Sequence, residues 1–110
     1  MKQAEIWYAD LNPTQGSEQS GHRPVLILSG NMLNEHLKIV IVCPLTTKIK
    51  NYKGNLVIAP TLKNGLVSKS EILTFHIRSV SKDRLIKKMG IITDDELAHI
   101  KNGLDDILRY

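Results

Sequence analysis

The sequence predicts an α+β fold that is mainly β, a strongly curled antiparallel sheet or small barrel followed by a C-terminal helix. Three observations carry this reading. Short apolar runs bounded by Gly, Pro and Asn fill the chain up to about residue 80. They follow one another too closely for a crossover helix between each pair, which favours antiparallel pairing. From Thr93 onward the apolar residues take up helical spacing instead. At 110 residues and 42% hydrophobic, with no run approaching the roughly 20 apolar residues that cross a bilayer, residues 1–110 read as a single domain with its own core.

EIWYADL is the first expected strand, and its opening context, MKQAEIWYAD, places one Lys and then an acid ahead of any apolar run. That pattern lacks a secretory signal, so a cytoplasmic protein is expected. PVLILSG is the second strand, NMLNEHL one helical turn, KIVIVCPL the third strand, NLVIAP the fourth and EILTFHIRSV the fifth. In the fifth, alternation sends Leu73, Phe75 and Ile77 to one face and Thr74, His76 and Arg78 to a polar stripe on the other. SKDRLIKKMG is expected to form a short helix, with Ser81 as cap, basic residues in the last turn and Gly90 as stop. The final stretch, TDDELAHIKNGLDDILRY, opens with Thr93 and Glu96 in capping-box spacing, and Leu97, Ile100, Leu104, Ile107 and Leu108 repeat at three and four. Gly103 is the one discordant residue in that helix.

Fifteen Lys and Arg against eleven Asp and Glu give a net charge of +4 and a pI near 9.3, which favours an anionic partner without identifying it. Lys48, Lys50 and Lys53 follow the third strand, while Lys82, Arg84, Lys87 and Lys88 cluster later. The default for such runs is a solvated face. Cys43, the lone cysteine, lies inside IVIVCPL and reads as a small buried side chain. With His22, His36, His76 and His99 it shows no zinc-ligand spacing, so no metal is expected. GSEQSG is not a G-x-S-x-G nucleophile elbow, and no Gly-rich loop for nucleotide phosphates occurs.

What remains is a metal-free cluster of cationic and hydroxyl groups. Residues 16–30, GSEQSGHRPVLILSG, carry Ser17, Glu18, Gln19, His22 and Arg23 straight into an apolar strand. Thr46 and Thr47 close the third strand in PLTTK, followed by Lys48. Strand ends and the loops between them are where sites are commonly built. Alternation sends His22 and Arg23 to opposite faces if the strand already covers both.

In order along the chain, EIWYADLNPTQGSEQSGHRPVLILS, VCPLTTK, GLVSKSEIL and IRSVSKDRL resemble the MazF/PemK family of toxin endoribonucleases. The resemblance covers nearly the whole chain. It implies an SH3-like barrel of about five to seven antiparallel strands with short helices and a C-terminal helix, usually a homodimer, that cleaves single-stranded RNA at short sequence motifs without a cofactor. It places the loop between the first two strands over the RNA groove. It further implies Arg23, of the R-P pair, and Thr46, at the end of the third strand, as catalytic residues, with Thr47 as the neighbour that a one-residue shift would promote.

These residue types suit RNA cleavage, because the substrate brings its own nucleophile, the 2′-hydroxyl, and the enzyme has to align it and stabilise charge. Arginine holds its proton far above neutrality, so Arg23 fits a phosphate clamp and proton donor better than a base. Glu18, His22 and His76 are the candidates for the base, with Glu18 also suited to holding Arg23 or the loop. Ser17, Gln19, Thr47, Lys48 and Arg78 read as RNA-binding groups. Many relatives carry an acid and a Gln where this chain has Phe75 and His76. The cleavage motif is therefore not carried over, and His76 is expected to stack on or hydrogen-bond with a base.

The resemblance also implies an antitoxin whose disordered acidic tail folds onto the groove and competes with RNA for Arg23, Lys48 and Arg78. Contact with DNA would come only through that antitoxin, and no membrane partner is expected. Two other functions share the fold: a non-enzymatic toxin that poisons DNA gyrase, and a nucleic-acid-binding barrel without catalysis. The G-S-E-Q-x-G-x-R-P block with Arg23 and Thr46 favours the nuclease.

Overall fold

The computed structural model describes residues 1–12 and 21–110. Its elements are β1 (Glu5–Asp10), β2 (His22–Ile27), α1 (Asn31–His36), β3 (Ile39–Thr46), β4 (Leu56–Ile58), β5 (Ser70–Ile72), β6 (Arg78–Ser81), β7 (Leu85–Ile91) and α2 (Asp94–Arg109). Single 3-10 turns lie at Thr74–His76 and Lys82–Arg84. The seven strands form one antiparallel sheet in the order β4-β5-β3-β2-β1-β7, and β6 pairs with β3 off that path. The sheet curls into a half-barrel backed by α2.

β2 explains its own composition. Val25, Leu26 and Ile27 are all fully buried, yet they face two different clusters. Val25 and Ile27 pack with Ala9, Leu11, Val40 and Val42, whereas Leu26 packs with Ile6, Cys43, Leu45 and Ile72. A strand covered on both faces has no side to give to polar residues, so PVLIL does not alternate. Each such side chain contributes about 1.5–3 kcal/mol by leaving water.

α2 forms where its periodicity places it. Thr93 Oγ1 accepts from the Glu96 N–H at 3.1 Å, and Glu96 Oε1 accepts from the Thr93 N–H at 2.8 Å, closing the expected capping box. Ile100 is fully buried in the cluster that holds Leu45 and Ile72, and Leu97 packs on its edge. The apolar face then runs past its support, leaving Ile107 and Leu108 exposed. Gly103 has a specific reason: a Cβ there would lie 2.8 Å from the Gly54 carbonyl oxygen. The helix crosses the 51–55 loop backbone at that point.

Two expectations are corrected. SKDRLIKKMG is not a helix. Ser81 Oγ does accept from the Asp83 N–H at 3.3 Å, but the cap starts only the 3-10 turn Lys82–Arg84, after which β7 runs along β1. The free edge of β1 outweighs local helix preference, because pairing satisfies its backbone and sets Lys88 Nζ 3.0 Å from buried Glu5. Gly90 lies inside β7, where a Cβ would strike the Lys63 carbonyl.

EILTFHIRSV, in turn, is not one strand. From Val42↔Arg78 to Leu45↔Ile72, β3 advances three residues while its partner goes back six. The three surplus residues bulge as the turn Thr74–His76. The predicted faces accordingly fail: Thr74 is fully buried, while Phe75 and Ile77 are exposed.

Candidate active site

Where the β2–β3 ladder ends, the sheet opens into a cleft of about 630 Å³. β2 contributes His22, Arg23 and Pro24, and the end of β3 contributes Leu45 and Thr46, continued by Thr47 and Lys48. Lys50, Tyr52, Ser70, Leu73, Phe75 and His76 complete the lining. The cleft thus combines cations, hydroxyls and aromatic rings, and no carboxylate lines it among the described residues.

Arg23 and Thr46 reach the same cleft because of strand register. Val25 pairs with Pro44, and the same register carried two residues on sets Arg23 opposite Thr46, on one face. Arg23 Nη1 donates to the Leu45 carbonyl at 3.4 Å. Thr46 Oγ1 accepts from the Lys48 N–H at 3.1 Å, which leaves the hydroxyl hydrogen to donate to a ligand. This contact also turns the chain after β3, setting Thr47 and Lys48 along the cleft rim.

Beneath the rim lies a buried charge. Glu71 is fully buried and sits opposite Thr46 on β5. Its Oε1 accepts from the Lys50 and Asn51 N–H groups at 2.8 and 2.9 Å, and its Oε2 from the Tyr52 N–H and Asn55 Nδ2 at 2.9 and 3.1 Å. Burial pushes the carboxyl up, but these four donors together hold it below the ordinary carboxylate value. Asn55 Oδ1 also accepts from the Thr74 N–H at 3.3 Å, so the 50–55 segment and the turn Thr74–His76 hang from one anchor.

His22 sits at the mouth. Its Nε2 lies 3.5 Å from Asp10 Oδ2, and its ring meets Tyr8 edge-on at 5.9 Å. The Asn12 N–H, more than the imidazole, holds the Asp10 carboxyl below its ordinary value. β2 does begin at His22, yet His22 and Arg23 line the same cleft, since the cleft opens at the strand end where both faces are reachable. Leu11 N–H donates to the Gly21 carbonyl at 3.1 Å and Gly21 N–H to Asn12 Oδ1 at 2.9 Å, closing the stem beside it.

Of the residues singled out from sequence, His22, Arg23, Thr46, Thr47, Lys48 and His76 come together in this cleft. Arg78, half-buried on β6 opposite Val42, lies outside its lining. Ser17, Glu18 and Gln19 fall outside the described residues. Sequence reasoning passed over Tyr52 and Phe75 as ligand-facing groups and Glu71 as anchor. The run KIKNYK, an aromatic ring among lysines, was the available signal for Tyr52.

Cys43 is buried, and burial pushes its thiol far above the ordinary value, consistent with a core residue. Among the described residues no group of three or more His, Cys, Asp and Glu is placed to hold a metal ion. No helix among them is long and apolar enough to cross a membrane.

Residues 2–108 match a family described as PemK-like, MazF-like toxin of type II toxin-antitoxin system. The chain is 35% identical over 106 residues to an endoribonuclease MazF of Staphylococcus saprophyticus, a match covering 96% of this chain and 88% of that protein. It superposes on the crystal structure of a MazF from Deinococcus radiodurans with a TM-score of 0.87 at 25% identity, covering 100% of this chain and 97% of the other. A MazE-MazF crystal structure from the same organism gives a TM-score of 0.80 at 26% identity, over 98% of this chain and 95% of the matched one. With its half-barrel, its C-terminal helix and a family match spanning almost its full length, the chain belongs to the PemK-like, MazF-like toxins of type II toxin-antitoxin systems.

Proposed function

We propose that this toxin is a metal-independent endoribonuclease that cuts single-stranded RNA, mRNA in the first instance, at short sequence motifs. The observation that carries the proposal is that Arg23 and Thr46 line one cleft together with Lys48, Lys50 and His76. The identity to an endoribonuclease MazF supports it.

In this reading the 2′-hydroxyl attacks the adjacent phosphorus, the bond to the 5′-oxygen breaks, and the products are a 2′,3′-cyclic phosphate and a 5′-hydroxyl end. Negative charge builds on the phosphorane oxygens. The Arg23 guanidinium carries donors in a fixed fork that suits two of those oxygens, and the Thr46 hydroxyl adds a third hydrogen bond. Lys48 and Lys50 draw the RNA backbone into the cleft. The proton leaving the 2′-hydroxyl goes to a base, for which His22 and His76 are the groups lining the cleft, with Glu18 the third candidate from the sequence. Arg23 or the second imidazole returns a proton to the 5′-oxygen. Ser17, Gln19, Thr47 and Arg78 complete the proposed RNA contacts.

An acidic antitoxin tail belongs to the same proposal, since it would occupy the cationic cleft and exclude RNA; a MazF from Deinococcus radiodurans has been crystallised with MazE. So do a homodimer, read by its mass in light scattering, and a cytoplasmic setting.

The test incubates the purified protein, in EDTA, with a long single-stranded RNA beside the Arg23→Ala variant and maps the new ends. Discrete cuts that disappear in the variant, with a cyclic phosphate or its 3′-phosphate hydrolysis product upstream, uphold the nuclease. Intact RNA from a protein that still captures gyrase moves the function to the binding toxin.

A further inference from the structure

We propose that Tyr52, Phe75 and His76 form a stacking shelf that receives one unpaired base of the RNA beside the reacting phosphate. This rests on the nuclease reading and adds to it the part of the cleft that selects the cut site. Tyr52 meets Phe75 edge-to-face with ring centroids 5.3 Å apart and an interplanar angle of 88°, and Phe75 meets His76 at 4.7 Å and 59°. The rings come from two segments, Tyr52 from the loop after β3 and Phe75 and His76 from the turn Thr74–His76, and they converge on the cleft that Arg23 and Thr46 also line.

They do not serve the core. Tyr52 is 47% and Phe75 44% exposed, in a chain only 5% aromatic. Aromatic side chains left half in water within a cationic cleft suit a ligand with flat π faces and a negative backbone, and single-stranded RNA has both. A base docking on either ring covers apolar surface that folding left wet.

The shelf is built to hold its shape. Phe75 and His76 ride on the three-residue bulge, whose backbone is tied by His76 N–H to the Leu73 carbonyl at 3.0 Å and by Thr74 N–H to Asn55. Tyr52 is held through its own N–H by buried Glu71. Neither tie uses the rings, so backbone anchoring and base contact are separate. His76 adds ring nitrogens that can read a base edge, which makes the shelf selective at one position.

The experiment maps cuts in a long single-stranded RNA by the wild type, Tyr52→Leu and Phe75→Leu. It then measures kcat/KM on a short oligonucleotide carrying one mapped site, with an abasic nucleotide substituted at each position in turn. Expected is a loss of about tenfold per ring removed, the size of one base–aromatic stack, with relaxed preference at a single position. At that position the abasic substitution slows the wild type by a similar factor and leaves Phe75→Leu nearly unaffected. Phe75→Tyr regains rate and preference relative to Phe75→Leu.

Unchanged cut sites and rates in both leucine variants overturn the shelf while leaving the nuclease intact. Escape of those same variants from inhibition by co-expressed antitoxin would then assign the rings to protein contact. Should the wild type leave RNA whole, the nuclease reading falls and the shelf is judged by binding of the same RNA: tenfold weaker binding in the leucine variants upholds it, and equal binding overturns it. A leucine variant without a cooperative thermal transition is set aside, and the abasic series on the wild type decides alone.

Discussion

Arg23 donates from Nη1 to the carbonyl oxygen of Leu45 at 3.4 Å, one residue before Thr46. The contact ties the guanidinium to the strand that carries its proposed partner. Arg23→Ala should lower kcat on RNA by at least about 100-fold, the order of one lost oxyanion donor. Its thermal midpoint should stay within a few degrees of the wild type, because the core clusters lie elsewhere. Arg23→Lys restores only part of the rate, since an ammonium lacks the planar fork. Full activity in the alanine variant would remove Arg23 from the mechanism.

Glu71 predicts an acid-sensitive anchor. Its folded-state carboxyl lies below the ordinary value of 4.5, so it stabilises the fold fully above that pH and loses its contribution as pH falls through the lowered value. Urea midpoints measured from pH 7 downward should therefore drop steeply below about pH 4.5. Glu71→Gln should be less stable by about 3 kcal/mol at pH 7, because an amide NH₂ would face donors, and its acid slope should be shallower. Parallel slopes for the two proteins would locate the acid lability elsewhere.

Gly103→Ala sets propensity against packing. Alanine gains about 1 kcal/mol over glycine within a helix, yet its Cβ would press on the Gly54 carbonyl oxygen at 2.8 Å. Backbone has to move, so the variant should melt below the wild type and bind RNA more weakly through the displaced Tyr52 loop. A higher melting temperature would mean that the helix and loop part at no penalty.

Cys43 should resist alkylation by iodoacetamide in the native protein even at pH 9, because burial opposes thiolate formation as well as access. In urea it should react with the unfolding transition. Labelling of the native state would place the thiol within reach of solvent.

Salt dependence tests the rim lysines. Lys50→Ala keeps the backbone N–H that serves Glu71, so the loop survives. The slope of log K against log salt for single-stranded RNA should fall by about 0.7 for each phosphate left without its lysine, in Lys48→Ala and Lys50→Ala alike. Unaltered slopes would take both side chains off the RNA path.

Local pattern and tertiary demand account for what was legible in the sequence. β2 and β3 were readable because burial on both faces leaves an unbroken apolar run, and α2 because Thr93, Glu96 and Ile100 state its cap and its inner face. β7 was not, since Ser81 and its basic residues mimic a helix while the deciding factor, the open edge of β1, lies some eighty residues upstream. The break in 70–81 carries no Gly or Pro to announce it; it follows from how much chain β3 can pair. Arg23 and Thr46 were singled out through the motifs that carry the family resemblance, and both line the cleft. Tyr52 and Phe75 become neighbours only through Glu71 and Asn55, and such a link leaves no trace in spacing.

The turn Thr74–His76 sits between two stretches of strand pairing that are each complete without it. Thr74 is buried there, but Phe75 and His76 face the cleft, so what occupies those two positions bears less on whether the chain folds. If the proposed shelf holds, those two positions act as a detachable reading head, by which a chain of this fold can change the RNA it recognises while its chassis stays the same.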